Sequence, residues 1–318
     1  MPPDTVTTEI TTQTTTQPTL TTTTLGQLSW NSTGITVATA NGNTAILNPF
    51  GVFVDDNYYI YIAEKTHNRI SKWPPNPTGS SSSAVFVTAT GELNQPPSLY
   101  VDSTTGDIYV ADETNRRVRR FANGSTTGTN VVSPSAGATP NVNAIFLSPN
   151  RTIYITDSGN FRIYDWLTNK TVAGGNGAGS SNTQLNSPKR FFIDNSYNFY
   201  IPENVNHRVM KWTLGASSGQ VVAGGNGGGT AANQLNAPLA VAVSSQGDVL
   251  VCDTNNNRIQ LWRVGAVTGE TIAGDSGGST GSTSTRLNSP KGIAIDKDDN
   301  IYVVDGNNYR IQKFNAIS

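Results

Sequence analysis

An acidic residue, an asparagine three positions on, an arginine two further and then Ile or Val: this pattern recurs six times along the chain. The copies run from Glu64 to Arg69, Asp112 to Arg117, Asp157 to Arg162, Glu203 to Arg208, Asp253 to Arg258 and Asp305 to Arg310. Only the first lacks the asparagine, with His67 in its place. Successive arginines are 48, 45, 46, 50 and 52 residues apart. A period of that length marks one supersecondary unit per copy, so the chain builds a propeller or a solenoid. At 318 residues it is long for one conventional core, a limit that repeats escape because each unit packs only on its neighbours.

The last copy shows the unit most clearly. Leu287-Asn288-Ser289-Pro290 leads into Gly292-Ile293-Ala294-Ile295-Asp296; after a polar turn come Ile301-Tyr302-Val303-Val304-Asp305, then Arg310-Ile311-Gln312-Lys313-Phe314. Short β-branched and aromatic runs separated by Asp, Asn and Gly read as antiparallel strands joined by tight turns. A fourth run follows earlier copies, as in Thr171–Gly174, Gln220–Gly224 and Glu270–Gly274. Each unit is therefore a four-stranded antiparallel meander, and the fold class is all-β, a six-bladed β-propeller. Only four residues follow Phe314, too few for a sixth outer strand, while Ile35-Thr36-Val37-Ala38 stands ahead of the first unit. We expect that N-terminal strand to complete the last blade and close the ring, leaving no free sheet edge.

Residues 30–318 are assigned to the propeller and residues 1–29 to a Thr-rich stalk or linker. Positions 4–24 are mostly Thr, with almost no large apolar groups to offset the entropy of ordering them. Such tracts serve as O-glycosylated stalks in secreted proteins, or as plain spacers.

The combination Leu-Asn-x-Pro, Ile-Ala-Ile-Asp, Ile-Tyr-Val-x-Asp and x-Asn-x-Arg-Ile-Gln-Lys-Phe resembles the NHL repeat family, over about residues 33–318 and all six copies. Departures exist. The third copy has Ser148 where Asp is usual and lacks the aligned Pro, and the fourth has Pro202 inside its second strand, tolerable only where the ladder needs no N–H. The second carries extra charge at Arg116, Arg119 and Arg120. The resemblance implies three kinds of role: a binding propeller, the recognition propeller of a tripartite-motif-like ubiquitin ligase acting on protein or RNA, or a zinc enzyme of the peptidylamidoglycolate lyase type. A ligase would need a Cys- and His-rich RING, which is not in this sequence.

Lys+Arg of 21 against Asp+Glu of 22 lacks the basic excess that nucleic-acid binding draws on, so nucleic acid is not the expected partner. The single cysteine, Cys252, excludes an intrachain disulfide and any multi-Cys zinc module. No apolar run reaches the roughly 18 residues of a membrane span, and no signal-peptide core follows Met1. Few Lys, many Thr and the stalk-like start favour an extracellular or cell-surface setting; sequons at Asn31, Asn123, Asn150 and Asn169 add little in so Asn-rich a chain.

Catalytic chemistry finds little footing. Positions expected to line the channel are Phe50-Gly51, Pro97-Ser98, Asn143-Ala144, Lys189-Arg190, Leu239-Ala240 and Lys291-Gly292, and none is acidic as a calcium cage requires. The two histidines, His67 and His207, are expected on loop surfaces, and no metal or cofactor site is assigned. No Gly-x-Ser-x-Gly elbow is present, and the Gly-rich runs lack a phosphate loop's Lys-Ser/Thr.

The sixfold motif is expected to be a corner: Glu64, Asp112, Asp157, Glu203, Asp253 and Asp305 hold turn N–H groups, while Arg69, Arg117, Arg162, Arg208, Arg258 and Arg310 bridge to them or to carbonyls. The residue before each Arg forms a ring on one face, including Arg116, Phe161, His207 and Tyr309, with Phe50, Lys189, Arg190 and Lys291 nearer the channel. We expect a monomeric, non-catalytic binding module that takes a protein or glycan there.

Overall fold

The structure is a computed structural model that describes residues 27–39, 46–75, 84–131 and 140–317. Most of the expected stalk, the Thr-rich positions 4–24 included, lies outside the described residues. The described chain opens with β1 (Ser29–Trp30) and β2 (Ile35–Thr39). Blade 1 is β3 (Pro49–Val54), β4 (Ile60–Glu64), β5 (Arg69–Trp73) and β6 (Val85–Phe86). Blade 2 is β7 (Ser98–Val101), β8 (Ile108–Asp112), β9 (Arg117–Phe121) and β10 (Thr129–Asn130). Blade 3 is β11 (Val142–Leu147), β12 (Ile153–Asp157), β13 (Arg162–Asp165) and β14 (Thr171–Gly174). Blade 4 is β15 (Phe192–Ile193), β16 (Asn198–Glu203), β17 (Arg208–Thr213) and β18 (Gln220–Gly224). Blade 5 is β19 (Ala240–Val243), β20 (Val249–Asp253), β21 (Arg258–Trp262) and β22 (Glu270–Gly274). Blade 6 has β23 (Pro290–Ile295), β24 (Ile301–Asp305) and β25 (Arg310–Phe314), and its outer strand is β2, with Ile35 opposite Lys313 and Thr39 opposite Arg310. The ring is thus a six-bladed propeller of four-stranded antiparallel blades, closed by the N-terminal strand as the sequence required.

A second closure goes beyond that expectation. β26 (Ala316–Ile317) pairs with β1, Ser29 opposite Ile317 and Trp30 opposite Ala316. Leu28 and Trp30 are buried in a cluster with Leu250, Leu261 and Phe314, so packing begins ahead of residue 30.

Second strands read as nearly unbroken apolar runs because both faces of a blade are covered by its neighbours. All residues of β4, β8, β12, β20 and β24 are buried. The core is a ring of inter-blade seams, as where Tyr61, Ala63 and Ile70 of blade 1 meet Leu99, Val110 and Phe121 of blade 2. Each such aliphatic side chain contributes about 1.5–3 kcal/mol when fully buried.

Alternation of strand direction sets two faces. The motif face carries the turns between second and third strands and the loops between blades; the opposite, hairpin face carries the turns between first and second strands. On the hairpin face, an Asp follows the first strand in four blades and caps its turn, as where Asp296 Oδ1 accepts the Asp298 and Asn300 N–H at 3.0 and 2.9 Å, while in blade 5 Ser244 Oγ accepts the Asp248 N–H at 3.1 Å. In blade 3, Ser148 takes that place through its hydroxyl, which donates to Asn150 Oδ1 at 2.6 Å. Pro202 has a larger effect. Without its N–H the ladder fails beside it, β15 shrinks to two residues, and the Arg190 N–H instead donates to Leu239 O of blade 5 at 3.1 Å.

Deleting residues 1–39 should strip the outer strand from blade 6 and expose the β25 edge. Loss of Leu28, Trp30 and Val37 burial predicts destabilisation of more than about 3 kcal/mol, with self-association visible by size-exclusion chromatography. A monomer with unchanged melting temperature would show that the ring does not rely on this closure.

Candidate functional site

The acid–Asn–Arg unit staples each blade to the loop that enters it. In blade 5, Asp253 Oδ1 accepts the Asn236 N–H at 2.6 Å, and Oδ2 accepts from Asn256 Nδ2 and Arg258 Nε, both at 2.8 Å. The guanidinium then donates to four backbone carbonyls, Thr230 at 2.8 Å, Ser276 at 3.0 Å, Gln234 at 3.2 Å and Ala231 at 3.3 Å. Asp305 and Arg310 repeat the scheme, with Arg310 donating to the carbonyls of Ser282, Thr283 and Arg286. Burial pushes the Asp253 and Asp305 carboxyls up from their ordinary value, opposed by the amide, Asn and Arg donors. In blade 1, His67 stands in for Asn, its Nδ1 2.8 Å from Glu64 Oε2. Blade 3 is the loosest: Arg162 Nε lies 3.4 Å from Asp157, and its other nitrogens donate to Asn169 and Thr171 of its own blade.

The residue before each Arg has a backbone the sequence did not announce. Asn68, Arg116, Phe161, His207, Asn257 and Tyr309 all sit in the left-handed region, φ between 51 and 54°. Gly and Asn adopt this conformation readily, whereas the Arg, Phe, His and Tyr found here adopt it at a cost. Three of the six side chains clasp the next blade: Asn68 Oδ1 accepts the Gln95 N–H at 2.7 Å, Asn257 Oδ1 the Ser289 N–H at 2.9 Å, and His207 Nδ1 the Ala237 N–H at 3.1 Å. Both histidines are therefore half-buried and bonded, where loop-surface positions were expected. The turn also fixes a glycine: a Cβ on Gly224, at φ 68°, would lie 2.4 Å from the His207 carbonyl oxygen. Arg116 and Tyr309 are exposed and Phe161 is half-buried.

Toward the axis, the first strands stack three rings of side chains, and the asymmetry lies there. At the motif-face mouth stand Phe50, Pro97, Asn143, Lys189, Leu239 and Lys291. One step deeper come Gly51, Ser98, Ala144, Ala240 and Gly292, small because the walls converge: a Cβ on Gly51 would meet Pro97 O at 2.7 Å, and one on Gly292 would meet Phe50 O at 2.6 Å. The sixth member of this ring is Arg190. Its guanidinium crosses the channel, donating from Nη1 to Pro97 O at 2.9 Å and from Nη2 to Lys291 O, 4.3 Å from the Phe50 ring centroid. Arg190 is thus 8 % exposed, a plug rather than part of an open surface.

The two mouths differ in chemistry. On the motif face, an open depression of about 490 Å³ is lined by Phe50, Lys65, Asn68, Gln95 and Lys291, among others. Lys65 Nζ is paired with Glu113 at 2.5 Å and lies 4.8 Å from the Phe50 ring, and Lys291 Nζ donates to Asn48 Oδ1 at 3.0 Å. Burial first, then the Arg190 and Lys65 charges, holds Lys189 and Lys291 below the usual lysine value, with Glu113 opposing this at Lys189. On the hairpin face, a cavity of about 420 Å³ descends to Arg190. Phe53, Tyr100, Phe146 and Phe192 line one side, with ring centroids 4.8, 4.8 and 5.4 Å apart in turn, and Ala242 and Ala294 line the other. Sequence reasoning missed this cavity, although an aromatic at the same register in four consecutive blades was there to be read. Among the described residues, no three His, Cys, Asp or Glu side chains converge as metal ligands would.

The NHL repeat is matched at residues 235–261 and 287–314, in blades 5 and 6 of the six-bladed propeller. No curated protein matches the sequence. Among solved structures, a protein of unknown function from Bacteroides thetaiotaomicron is 14 % identical with a TM-score of 0.70, over 92 % of this chain and 77 % of its own. A gluconolactonase from Xanthomonas campestris is 10 % identical at TM-score 0.63, over 89 % of each chain. An auxiliary nutrient binding protein from Bacteroides ovatus is 17 % identical at TM-score 0.61, over 91 % of this chain and 73 % of its own. At these identities the likeness is one of fold alone.

Arg258→Ala should lower stability by about 3–5 kcal/mol, because it strands the fully buried Asp253 carboxylate and four carbonyls. Arg162→Ala, at the looser corner, should cost about 1 kcal/mol. Equal losses in thermal or urea unfolding would show that the loop carbonyls are not what the arginine holds.

Proposed function

We propose that this propeller is a non-catalytic binding module whose ligand, a glycan bearing carboxylate or sulfate groups, docks on the motif face at the channel mouth. The carrying observation is the charge there. Lys65, Lys189, Lys291 and the underlying Arg190 share one nearby carboxylate, Glu113, in a chain whose overall balance is −1. Ammonium groups held on a rigid ring and already repelling one another gain most from an anion that spans them. Lys189 Nζ has no hydrogen-bond partner or ion pair among the described residues and is the group freest to engage it.

The surrounding side chains suit a sugar. Asn68, Asn94 and Gln95 border the depression with amide and backbone polar groups, and Phe50 supplies an apolar centre. The mouth ring of Phe50, Pro97, Asn143, Lys189, Leu239 and Lys291 offers no carboxylate for a calcium-assisted hydrolysis, which supports recognition over catalysis. Propellers of this shape include nutrient-binding proteins, an analogy of fold.

Binding to immobilised polygalacturonate, followed by surface plasmon resonance, tests the reading. The native chain should bind, weaken steeply as salt rises, and ignore neutral dextran; Lys189→Gln with Lys291→Gln should reduce affinity about tenfold or more. Equal retention on dextran, or an unaffected double variant, would overturn it.

A further inference from the structure

The cavity on the hairpin face holds a group that the repeat itself does not call for. We propose that this cavity is a second binding site, for a small organic monocarboxylate with an aromatic or branched apolar body, whose carboxylate meets Arg190 at the base while the body lies against the aromatic wall.

About 420 Å³ falls within the range of small-molecule sites, roughly 300–1,000 Å³. Side chains two residues apart on a first strand face the same way, so Phe53, Tyr100, Phe146 and Phe192 stand one layer above the small ring. Alanine at the same register in blades 5 and 6, Ala242 and Ala294, leaves the space open on that side. A flat or branched body fits between a wall of ring faces and edges and a wall of methyl groups.

The base supplies the polar selectivity. Arg190 is 8 % exposed, and among the described residues no carboxylate lies within ion-pair distance of it. Its two Nη groups are held by the Pro97 and Lys291 carbonyls, which fixes the guanidinium plane, while Nε–H has no acceptor. A buried charge without a counter-charge is unfavourable, and an entering anion removes that cost. The Tyr100 hydroxyl, on the same cavity wall, has no partner among the described residues, and burial pushes its pKa up to about 12, so it remains a donor at neutral pH. Arg190 thus supplies the charge at the base and Tyr100 a hydroxyl donor on the wall. An apolar wall and a single fixed cation disfavour a polyanion. The mouth carries Asp55, Asp56 and Asp296 against Lys297; Asp55 and Asp296 accept N–H groups of their own turns, and Arg190 is the cation at the base.

Blade 4 shows how the sequence builds this base. Pro202 breaks the ladder, the Arg190 backbone turns to Leu239 of blade 5, and the side chain crosses the channel instead of following the small residues of the other five blades.

Isothermal titration of the full chain tests the proposal with three probes: 3-phenylpropionate, its neutral counterpart 3-phenylpropan-1-ol, and acetate, which lacks the body. The acid should bind saturably, with the alcohol and acetate each weaker by roughly tenfold or more. Arg190→Gln should erase the preference for acid over alcohol. Because that change also touches the channel carbonyls, Phe146→Leu, at a half-buried wall position, should independently weaken the acid. The double variant Lys189→Gln with Lys291→Gln should leave acid binding unchanged, which separates this site from the motif-face reading. Equal binding of acid and alcohol, no saturation at millimolar acid, insensitivity to both cavity variants, or loss in the motif-face double variant would each overturn the proposal.

Discussion

Six buried carboxylates, each paired with its arginine and five of them also holding a loop N–H and an asparagine, are the constraint on which this propeller rests. A blade-to-blade loop must leave the outer strand of one sheet and descend to the inner strand of the next, and its carbonyls have no ladder to satisfy them. Arg258 answers four of them at once and Arg310 three. An ion pair in so dry a place adds little net stability over an apolar isostere, but losing one partner is costly, so the unit acts as a device for fixing geometry. Its six copies hold the first strands at set heights around the axis, and the rings of side chains in the channel follow from that.

Against so regular a frame, departures are informative. Five blades put Gly, Ser or Ala at the narrowest ring and one puts Arg190; four put an aromatic ring above it and two put Ala. Nothing in the repeat requires either asymmetry, and both concern the same channel. They divide it into a cationic depression on one face and an aromatic-walled cavity on the other, with Phe50 and Arg190 stacked between them. Local rules are broken here in the direction expected of sites rather than of scaffolds.

The sequence made the fold legible because strand periodicity, turn residues and the sixfold motif all pointed one way. Even the closure by Ile35–Thr39 followed from counting strands. The β1–β26 pair was hidden, since two-residue strands carry no periodic signal. The candidate face was legible only in part. Phe50, Lys189 and Lys291 do ring the mouth, but Arg190 turned inward, because whether an arginine at a ring position points out or across depends on the ladder break at Pro202. His207 became a clasp for Ala237, a role set by a left-handed backbone that a histidine does not advertise. The cavity was hidden because its aromatic wall stands two residues beyond the narrowest ring on four first strands, where an aromatic reads equally well as ordinary core.

The central claim is that Arg190 serves a ligand and not the fold. Thermal unfolding of Arg190→Ala, which gives blade 4 the small residue its neighbours carry, tests this directly. Removing a buried cation that has no counter-charge should leave stability within about 1 kcal/mol of the native chain, or raise it. A loss of several kcal/mol would mean that its bonds to Pro97 and Lys291 hold the ring together, and would contradict the account.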